Sequence, residues 1–135
     1  MSSSSSTSLK AKMLVVAGAA VVMVPFAPTP AESHQFTAAS NISINRQGNR
    51  FFGKVSSSRN SCKRNRQVTL YRVRNGRRTV AGRDRTNFNG NWSETARRRG
   101  RYFAVVSGRT SGPYPHRHTC RGDRSPTIRK RSPRH

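Results

Sequence analysis

Apolar and polar residues alternate in short runs over most of the chain beyond residue 31, and turn-forming residues separate the runs. The clearest run is Gln67–Val73, in which Val68 and Leu70 fall on one face of an extended chain. Arg50–Ser56 and Arg101–Ser107 have the same period of two. Because this period is typical of half-buried strands, and no window beyond residue 31 has a helical period, we predict an all-β chain.

Weaker segments complete the predicted organisation. The further strand candidates are His34–Ser43, Thr79–Thr86, Asn91–Thr95 and Ser125–Arg129. Gly108–Thr119 is predicted to be an irregular loop, because Pro113 and Pro115 cannot donate ladder hydrogen bonds. About seven short strands with turns between them predict one antiparallel β-sandwich of the Ig-like or prealbumin-like kind.

Two Asn-Gly pairs, Asn75–Gly76 and Asn89–Gly90, are typical of hairpin turns because they tolerate positive φ angles. The second pair precedes a strand with the only tryptophan, Trp92, and a basic corner at residues 97–100 follows that strand. We expect the strands before and after this corner to form the hairpin around which the others are arranged.

The predicted core is small. Its inward-facing side chains are Val55, Val68, Leu70, Val80, Trp92, Tyr102, Ala104 and Val106. The 104 residues from Glu32 onwards contain only 15 Val, Ile, Leu and Phe residues. Exported domains with thin cores commonly need a disulfide, so we predict a bond between Cys62 and Cys120. In the chain-entropy model, closing a loop of about sixty residues stabilises a fold by about 4 kcal/mol.

The N-terminal segment has the pattern of a secretory signal peptide. Lys10 and Lys12 precede an apolar run over residues 13–26, and the small residues Thr29 and Ala31 follow it. We predict cleavage near Ala31 and a secreted or cell-envelope location. An uncleaved membrane anchor is the alternative, although the run is shorter than the roughly 18–20 apolar residues that cross a bilayer.

The predicted domains are a signal peptide (1–31), a lead-in with a possible first strand (32–49), the sandwich (50–129) and a basic disordered tail (130–135).

The charge is strongly positive. The chain has 27 Lys and Arg against 4 Asp and Glu, a formal net charge of +23, which becomes +21 when residues 1–31 are removed. Such a charge attracts polyanions, so the candidate partners of the Arg-rich surface are an anionic polysaccharide, a cell-wall polymer or extracellular nucleic acid. The sequence does not identify the partner, and it predicts no specific small molecule. The favoured interpretation of the charge by itself is nevertheless a solvated surface whose arginines reflect codon bias, with dedicated polyanion binding second.

The sequence offers little for catalysis or metal binding. The four acidic residues are scattered, no G-x-S-x-G motif occurs, and oxidised cysteines cannot act as thiolates. His116, His118 and Cys120 would leave only two histidine ligands once Cys120 is in a disulfide, which is too few for a zinc site. The tripeptide at 121–123, Arg-Gly-Asp, is interpreted as a turn. We therefore predict no catalytic residue, no metal and no cofactor.

Four segments resemble a known family of domains. They are V-T-L-Y-R (68–72), N-G (75–76), T-N-F-N-G-N-W (86–92) and G-R-Y-F-A-V-V (100–106). Together they resemble the carboxypeptidase-regulatory-like and SpaA (Cna-B)-type domains, which are prealbumin-like sandwiches common in exported bacterial proteins. Asn87 stands where the family often has Asp, and Lys54 and Lys63 have no evident acidic partner for an isopeptide bond. The resemblance implies a structural or binding module rather than an enzyme.

The predicted function follows from export, fold and charge. We expect a secreted, non-catalytic structural or interaction module that contacts anionic cell-envelope or extracellular polymers. The alternative is a cationic effector that binds nucleic acid or anionic membranes. Arginines clustered on one face would favour that effector, and arginines spread evenly over the strands would argue against it.

Overall fold

The three-dimensional structure is a computed structural model, and it describes residues 34–131 together with residues 18–20 and Pro25. Apart from those four residues, the predicted signal peptide lies outside the described part, as do its cleavage site and residues 132–135 of the predicted tail. Contacts divide the chain into residues 1–31 and 32–135, and all the strands lie in the second unit. Within the described residues, no helix is long and apolar enough to cross a membrane.

The second unit is built from short strands and one 3₁₀ turn at Asn60–Cys62. The strands are β1 (Phe36–Ala38), β2 (Ser40–Ile42), β3 (Asn45–Gln47), β4 (Arg50–Ser57), β5 (Gln67–Arg74), β6 (Arg77–Arg85), β7 (Asn91–Thr95), β8 (Gly100–Val106), β9 (Arg109–Ser111), β10 (His118–Cys120), β11 (Asp123–Arg124) and β12 (Ile128–Lys130). The predicted all-β class is confirmed.

Two antiparallel sheets form a sandwich with seven strand positions. In the first, β2 and β3 pair with successive parts of β4, and β7 also pairs with β4. In the second, the order is β11–β8–β5–β6, and β12 pairs with the other end of β8. A small third sheet joins β1, β10 and β9. Residues of both large sheets share one core, and the rings of Phe51 and Tyr102 meet across it at 4.4 Å between centroids.

The two Asn-Gly pairs have different roles. Asn75 and Gly76 both have positive φ, 50° and 72°, and connect the β5–β6 hairpin as predicted. The turn at Asn89–Gly90 does not make a hairpin, since it leads from β6 in one sheet to β7 in the other. The expected hairpin of β7 and β8 is therefore wrong, because β7 pairs with β4 and β8 pairs with β5.

The structured region is larger than predicted. Strands β2 and β3, in the predicted lead-in, belong to the sandwich, so it begins at Ser40. The predicted loop 108–119 contains β9 and most of β10, and the two prolines lie between these strands, where no ladder bond is required. Lys130, placed in the disordered tail, is the last residue of β12 and pairs with Gly100.

Seven of the eight predicted core side chains are buried, and Val80 is the exception, with 46% of its surface exposed. The cause is a bulge in the pairing of β5 with β6, where Leu70 pairs with Gly82 but Tyr71 pairs with Val80. The extra residue, Ala81, reverses the alternation and itself packs against the core. The prediction that Val80 faces inward is therefore wrong.

The predicted disulfide is confirmed. Cys62 and Cys120 are bonded, with their Cα atoms 5.4 Å apart and a sequence separation of 58. The bond connects the 3₁₀ turn at Asn60–Cys62 to β10, and both cysteines pack with Ala38 in a second, smaller core. A pair so distant in the chain restricts the unfolded state strongly.

Some arginines complete the fold by covering aromatic rings. Phe103 lies outside the main core yet is only 1% exposed. Tyr71 stacks against its ring at 5.2 Å, and the guanidinium of Arg124 lies 3.7 Å from its centroid. Arg78 lies over Tyr71 at 5.1 Å in the same way. The outer face of the second sheet thus buries apolar area beneath cations, which compensates partly for the thin core.

Candidate anion-binding site

Cationic side chains surround a cleft of about 750 Å³ at one end of the sandwich. Its lining residues are Asn49, Arg72, Arg74, Arg97, Arg98, Arg99, Gly100, Lys130 and Arg131. We call this site the arginine cleft. Two adjoining depressions add Arg101 and Arg129 on one side and Arg77 on the other. Acidic residues line none of these three surfaces.

The positive charges are therefore clustered. Residues 34–131 contain 24 Lys and Arg, and ten of them line the arginine cleft and its two adjoining depressions. The clustering follows from strand register, because Val73 in β5 pairs with Arg101 in β8, and Lys130 in β12 pairs with Gly100. The ends of β5, β8 and β12 and the basic corner at residues 97–100 thus meet at one edge.

Lys130 holds this end together instead of facing solvent. It is 7% exposed, and its ammonium donates to Asn49 Oδ1, to the Ala96 carbonyl at 2.7 Å and to the Arg97 carbonyl at 2.8 Å. These bonds use all three donors of an ammonium group. Burial lowers the pKa of Lys130, and the charge of Arg46 lowers it further. Lys130 is therefore a positioning residue.

Two further side chains bind the same corner. The hydroxyl of Tyr102 donates to the Arg98 carbonyl, and Nε of Arg72 donates to the Arg99 carbonyl at 2.7 Å. Burial raises the pKa of Tyr102, although the charges of Arg72 and Arg98 oppose this shift. A tyrosine that binds the backbone four residues upstream also occurs at corners of Greek-key sandwiches.

The corner turns its carbonyls inward and its arginines outward. All four carbonyls of residues 96–99 accept a hydrogen bond from Lys130, Tyr102 or Arg72. The side chains of Arg97, Arg98 and Arg99 are exposed. Gly100 makes this possible, since its φ of +146° disfavours other residues and a Cβ there would lie 3.0 Å from Nε of Arg72. Three guanidinium groups are thereby presented on a fixed backbone.

A second arginine-rich site lies around Arg66, and the guanidinium at its centre is buried instead of exposed. Arg66 is 1% exposed. Its guanidinium donates to four neutral oxygens, which are Ser40 Oγ and the carbonyls of Cys62, Ser107 and Arg121. Burial lowers the pKa of Arg66, and the nearby charge of Arg109 lowers it further. We call this arrangement the Arg66 cluster.

The aspartates that the structure describes are bound to backbone amides of the fold. Asp84 Oδ2 accepts from the Ser93 amide at 2.8 Å, and Asp123 Oδ2 accepts from the Ile42 amide at 2.9 Å. Each carboxylate therefore connects strands of the two large sheets. This places Asp123, the last residue of the Arg-Gly-Asp tripeptide, in a structural contact.

The histidines considered as metal ligands stack on other rings. His118 lies 4.3 Å from Phe36 and His116 lies 6.0 Å from His34, measured between ring centroids, and Cys120 is in the disulfide. In the part of the chain that the structure describes, no group of three or more His, Cys, Asp or Glu residues could hold a metal.

Comparison of the sequence with protein-family models and with curated proteins gives no match. The arginine cleft must therefore be interpreted from its own geometry. The basic corner at 97–100 was evident in the sequence, whereas Arg72, Arg74 and Lys130 were not predicted to join it. Each is separated from that corner by more than twenty residues, and only the strand register brings them together.

Proposed function

We propose that this protein is an exported, non-catalytic module that binds phosphate-rich anionic polymers in the arginine cleft. The observation that carries the proposal is the exposed, backbone-anchored row of Arg97, Arg98 and Arg99 among seven other cations. A guanidinium fork matches the oxygens of phosphate and carboxylate in a bidentate manner, which favours arginine in such sites. The cleft and its two adjoining depressions have ten cations and no acid in their lining, and this arrangement focuses a positive potential on one end of the molecule.

Export is part of the proposal. A buried disulfide is typical of proteins that fold in oxidising compartments, and this supports the interpretation of residues 1–31 as a signal peptide. The sandwich with its N-terminal export pattern is also what the resemblance to prealbumin-like domains implies. In such a location, cell-envelope and extracellular phosphate polymers are the accessible partners.

The test is binding of inorganic polyphosphate, a polymer with phosphates but without sugars or bases, to the full chain. We expect Arg97→Ala/Arg98→Ala/Arg99→Ala to lower affinity by at least about tenfold. The slope of log affinity against log salt should become shallower by about one for each phosphate that is no longer neutralised. Calorimetry at several salt concentrations gives both quantities.

A matched control removes the same charge elsewhere. Arg83, Arg117 and Arg121 are exposed and line none of the three surfaces at the arginine cleft. Their triple alanine variant should retain most of the affinity, because binding depends on the cleft. Equal losses in the two triple variants would show that net charge alone attracts the polymer, and the proposed site would be abandoned.

The clustering of charge meets the condition that favours the alternative, a cationic effector that binds nucleic acid or anionic membranes. If the protein attacked anionic membranes through the arginine cleft, it should make anionic vesicles leak, and this leakage should depend on Arg97, Arg98 and Arg99. The cleft is lined by polar and charged groups without a large apolar side chain at its centre. This favours capture of a polymer over membrane insertion.

A further inference from the structure

A second basic surface lies at the opposite end of β7 from the arginine cleft. It is a recess of about 170 Å³ lined by Lys54, Asn60, Lys63, Arg64, Phe88 and Asn89. Phe88 is 75% exposed, and the guanidinium of Arg64 lies 5.3 Å from its ring centroid. A single exposed apolar residue is ordinary on a protein surface. Here the exposed ring coincides with three cations and two amides, and no acidic residue lines the recess.

The loop that carries Phe88 is fixed by hydrogen bonds. Oδ1 of Asn87 accepts from the amides of Asn89 and Asn91, and the amide of Gly90 donates to the Asn87 carbonyl. The amide of Val55 in β4 donates to the Gly90 carbonyl at 2.8 Å. A side-chain oxygen that closes its own turn in this manner restricts the loop. The exposed ring therefore stands on a backbone that needs little further ordering on binding.

The segment carrying Lys63 and Arg64 is also anchored by hydrogen bonds, and Lys54 lies in β4. Thr86 Oγ1 donates to the Lys63 carbonyl and accepts from the Arg66 amide at 2.8 Å, which connects this segment to the Phe88 loop. Cys62, next to Lys63, is held by the disulfide. The backbone segments that carry the ring and the cations are thus connected, and we call the surface they form the Phe88 platform.

We propose that the Phe88 platform stacks an unpaired base of a single-stranded nucleic acid while its cations contact the adjoining phosphates. Single strands are held by aromatic side chains that stack bases beside basic groups that follow the backbone. The amides of Asn60 and Asn89 provide donors and acceptors for a base edge. This proposal rests on the proposed function and specifies a polymer class whose units carry both phosphate and an aromatic ring.

The platform favours a base over a plain phosphate chain. Polyphosphate would engage Lys54, Lys63 and Arg64 but would leave the Phe88 ring in water. A stacked base covers that ring, and stacking of this kind is worth roughly 1–3 kcal/mol per base, about five- to 150-fold in affinity. Phe88 should therefore distinguish nucleic acid from polyphosphate, whereas the arginine cleft should bind both.

The experiment uses the full chain and a single-stranded DNA of about 12 nucleotides with 2-aminopurine, a fluorescent base that is quenched when it stacks. We expect quenching with the natural protein and with Phe88→Tyr. Phe88→Leu keeps an apolar side chain but removes the aromatic ring, and it should lose the quenching and about tenfold in DNA affinity. The same variant should bind polyphosphate as the natural protein does. Tyr114→Leu, which removes an equally exposed aromatic ring outside the recess, is the matched control.

The outcomes separate the two proposals. If Phe88→Leu quenches and binds DNA normally, the platform does not stack bases, and polyphosphate binding at the cleft is unaffected by that result. If the natural protein binds neither polymer, the proposed function fails first. If Phe88→Leu weakens binding to anionic phospholipid vesicles and leaves the DNA signal intact, Phe88 inserts into membranes and the proposal is overturned.

Discussion

The Arg66 cluster and the arginine cleft are both rich in arginine, but the guanidinium is buried and hydrogen-bonded in the first and exposed to solvent in the second. In the Arg66 cluster, backbone carbonyls and a hydroxyl surround the guanidinium and occupy four of its donor positions. In the arginine cleft, the backbone carbonyls of residues 96–99 already accept hydrogen bonds from Lys130, Tyr102 and Arg72. The guanidinium groups of Arg97, Arg98 and Arg99 therefore face solvent.

The difference shows how an arginine-rich chain can divide one residue type between folding and binding. A buried guanidinium becomes structural when neutral oxygens replace its water. An exposed one becomes available for a ligand when other donors already bind the carbonyls near it. Some arginines therefore stabilise the fold and others are available to bind a ligand. The difference is whether neutral oxygens of the protein accept the hydrogen bonds of the guanidinium.

The largest effect that tests this comparison is expected from Arg66→Met. Methionine retains much of the volume but removes the Arg66 donor from the buried Cys62 carbonyl and from the partly buried Ser107 and Arg121 carbonyls, and each lost bond is costly. We expect the free energy of unfolding to fall by about 3 kcal/mol in urea titrations. The control, Arg98→Met in the arginine cleft, should change it by less than about 0.5 kcal/mol. Similar losses at both positions would mean that the buried and the exposed arginine contribute equally to folding.

A smaller effect is expected from Lys130→Met, which tests whether buried donors organise the cleft. The Ala96 and Arg97 carbonyls would lose their partner, so we expect a loss of about 2 kcal/mol in unfolding free energy. Polyphosphate affinity should also fall, because the Arg97–Arg99 backbone loses its anchor. Arg129→Met removes the same charge from an adjacent exposed position and should leave stability nearly unchanged. A Lys130→Met variant with normal stability would mean that this ammonium does not hold the corner.

The smallest effect concerns Tyr102 and depends on pH. The pKa of Tyr102 is raised above its ordinary value of 10.0, so the folded state keeps this proton where the unfolded chain loses it. Its contribution to stability is therefore complete below about pH 10 and is lost as pH rises through the folded-state pKa. Tyr102→Phe should cost about 1 kcal/mol at neutral pH and should flatten the alkaline loss of stability.

Thermal unfolding of the natural protein and of Tyr102→Phe, measured at several pH values from neutral to alkaline, gives this difference in stability. Tyr114→Phe, which changes an exposed tyrosine, should unfold like the natural protein across the range. Parallel pH curves for the natural protein and Tyr102→Phe would contradict a role for this hydroxyl in holding the corner.

Local pattern was enough for most strands and for the disulfide. Alternation identified β4, β5 and β8 because half of each strand faces a core, and Asn75–Gly76 marked the hairpin between β5 and β6 through its positive φ angles. The pairing of Cys62 with Cys120 needed only the count of two cysteines. Val80 was misplaced because a one-residue bulge leaves no clear mark in an alternating sequence.

The sequence by itself determined a β-rich, disulfide-closed and strongly cationic chain, because alternation, cysteine number and charge are local or additive properties. Only the tertiary structure decided which strands pair, that Lys130 and Arg66 are buried, and that Arg72, Arg74 and Arg97–Arg99 meet at one end. Strand partners are chosen by the packing of two sheets over one core, and this choice depends on contacts between residues far apart in the chain. The arginine cleft is a product of that choice, since its members come from separate strands and a corner.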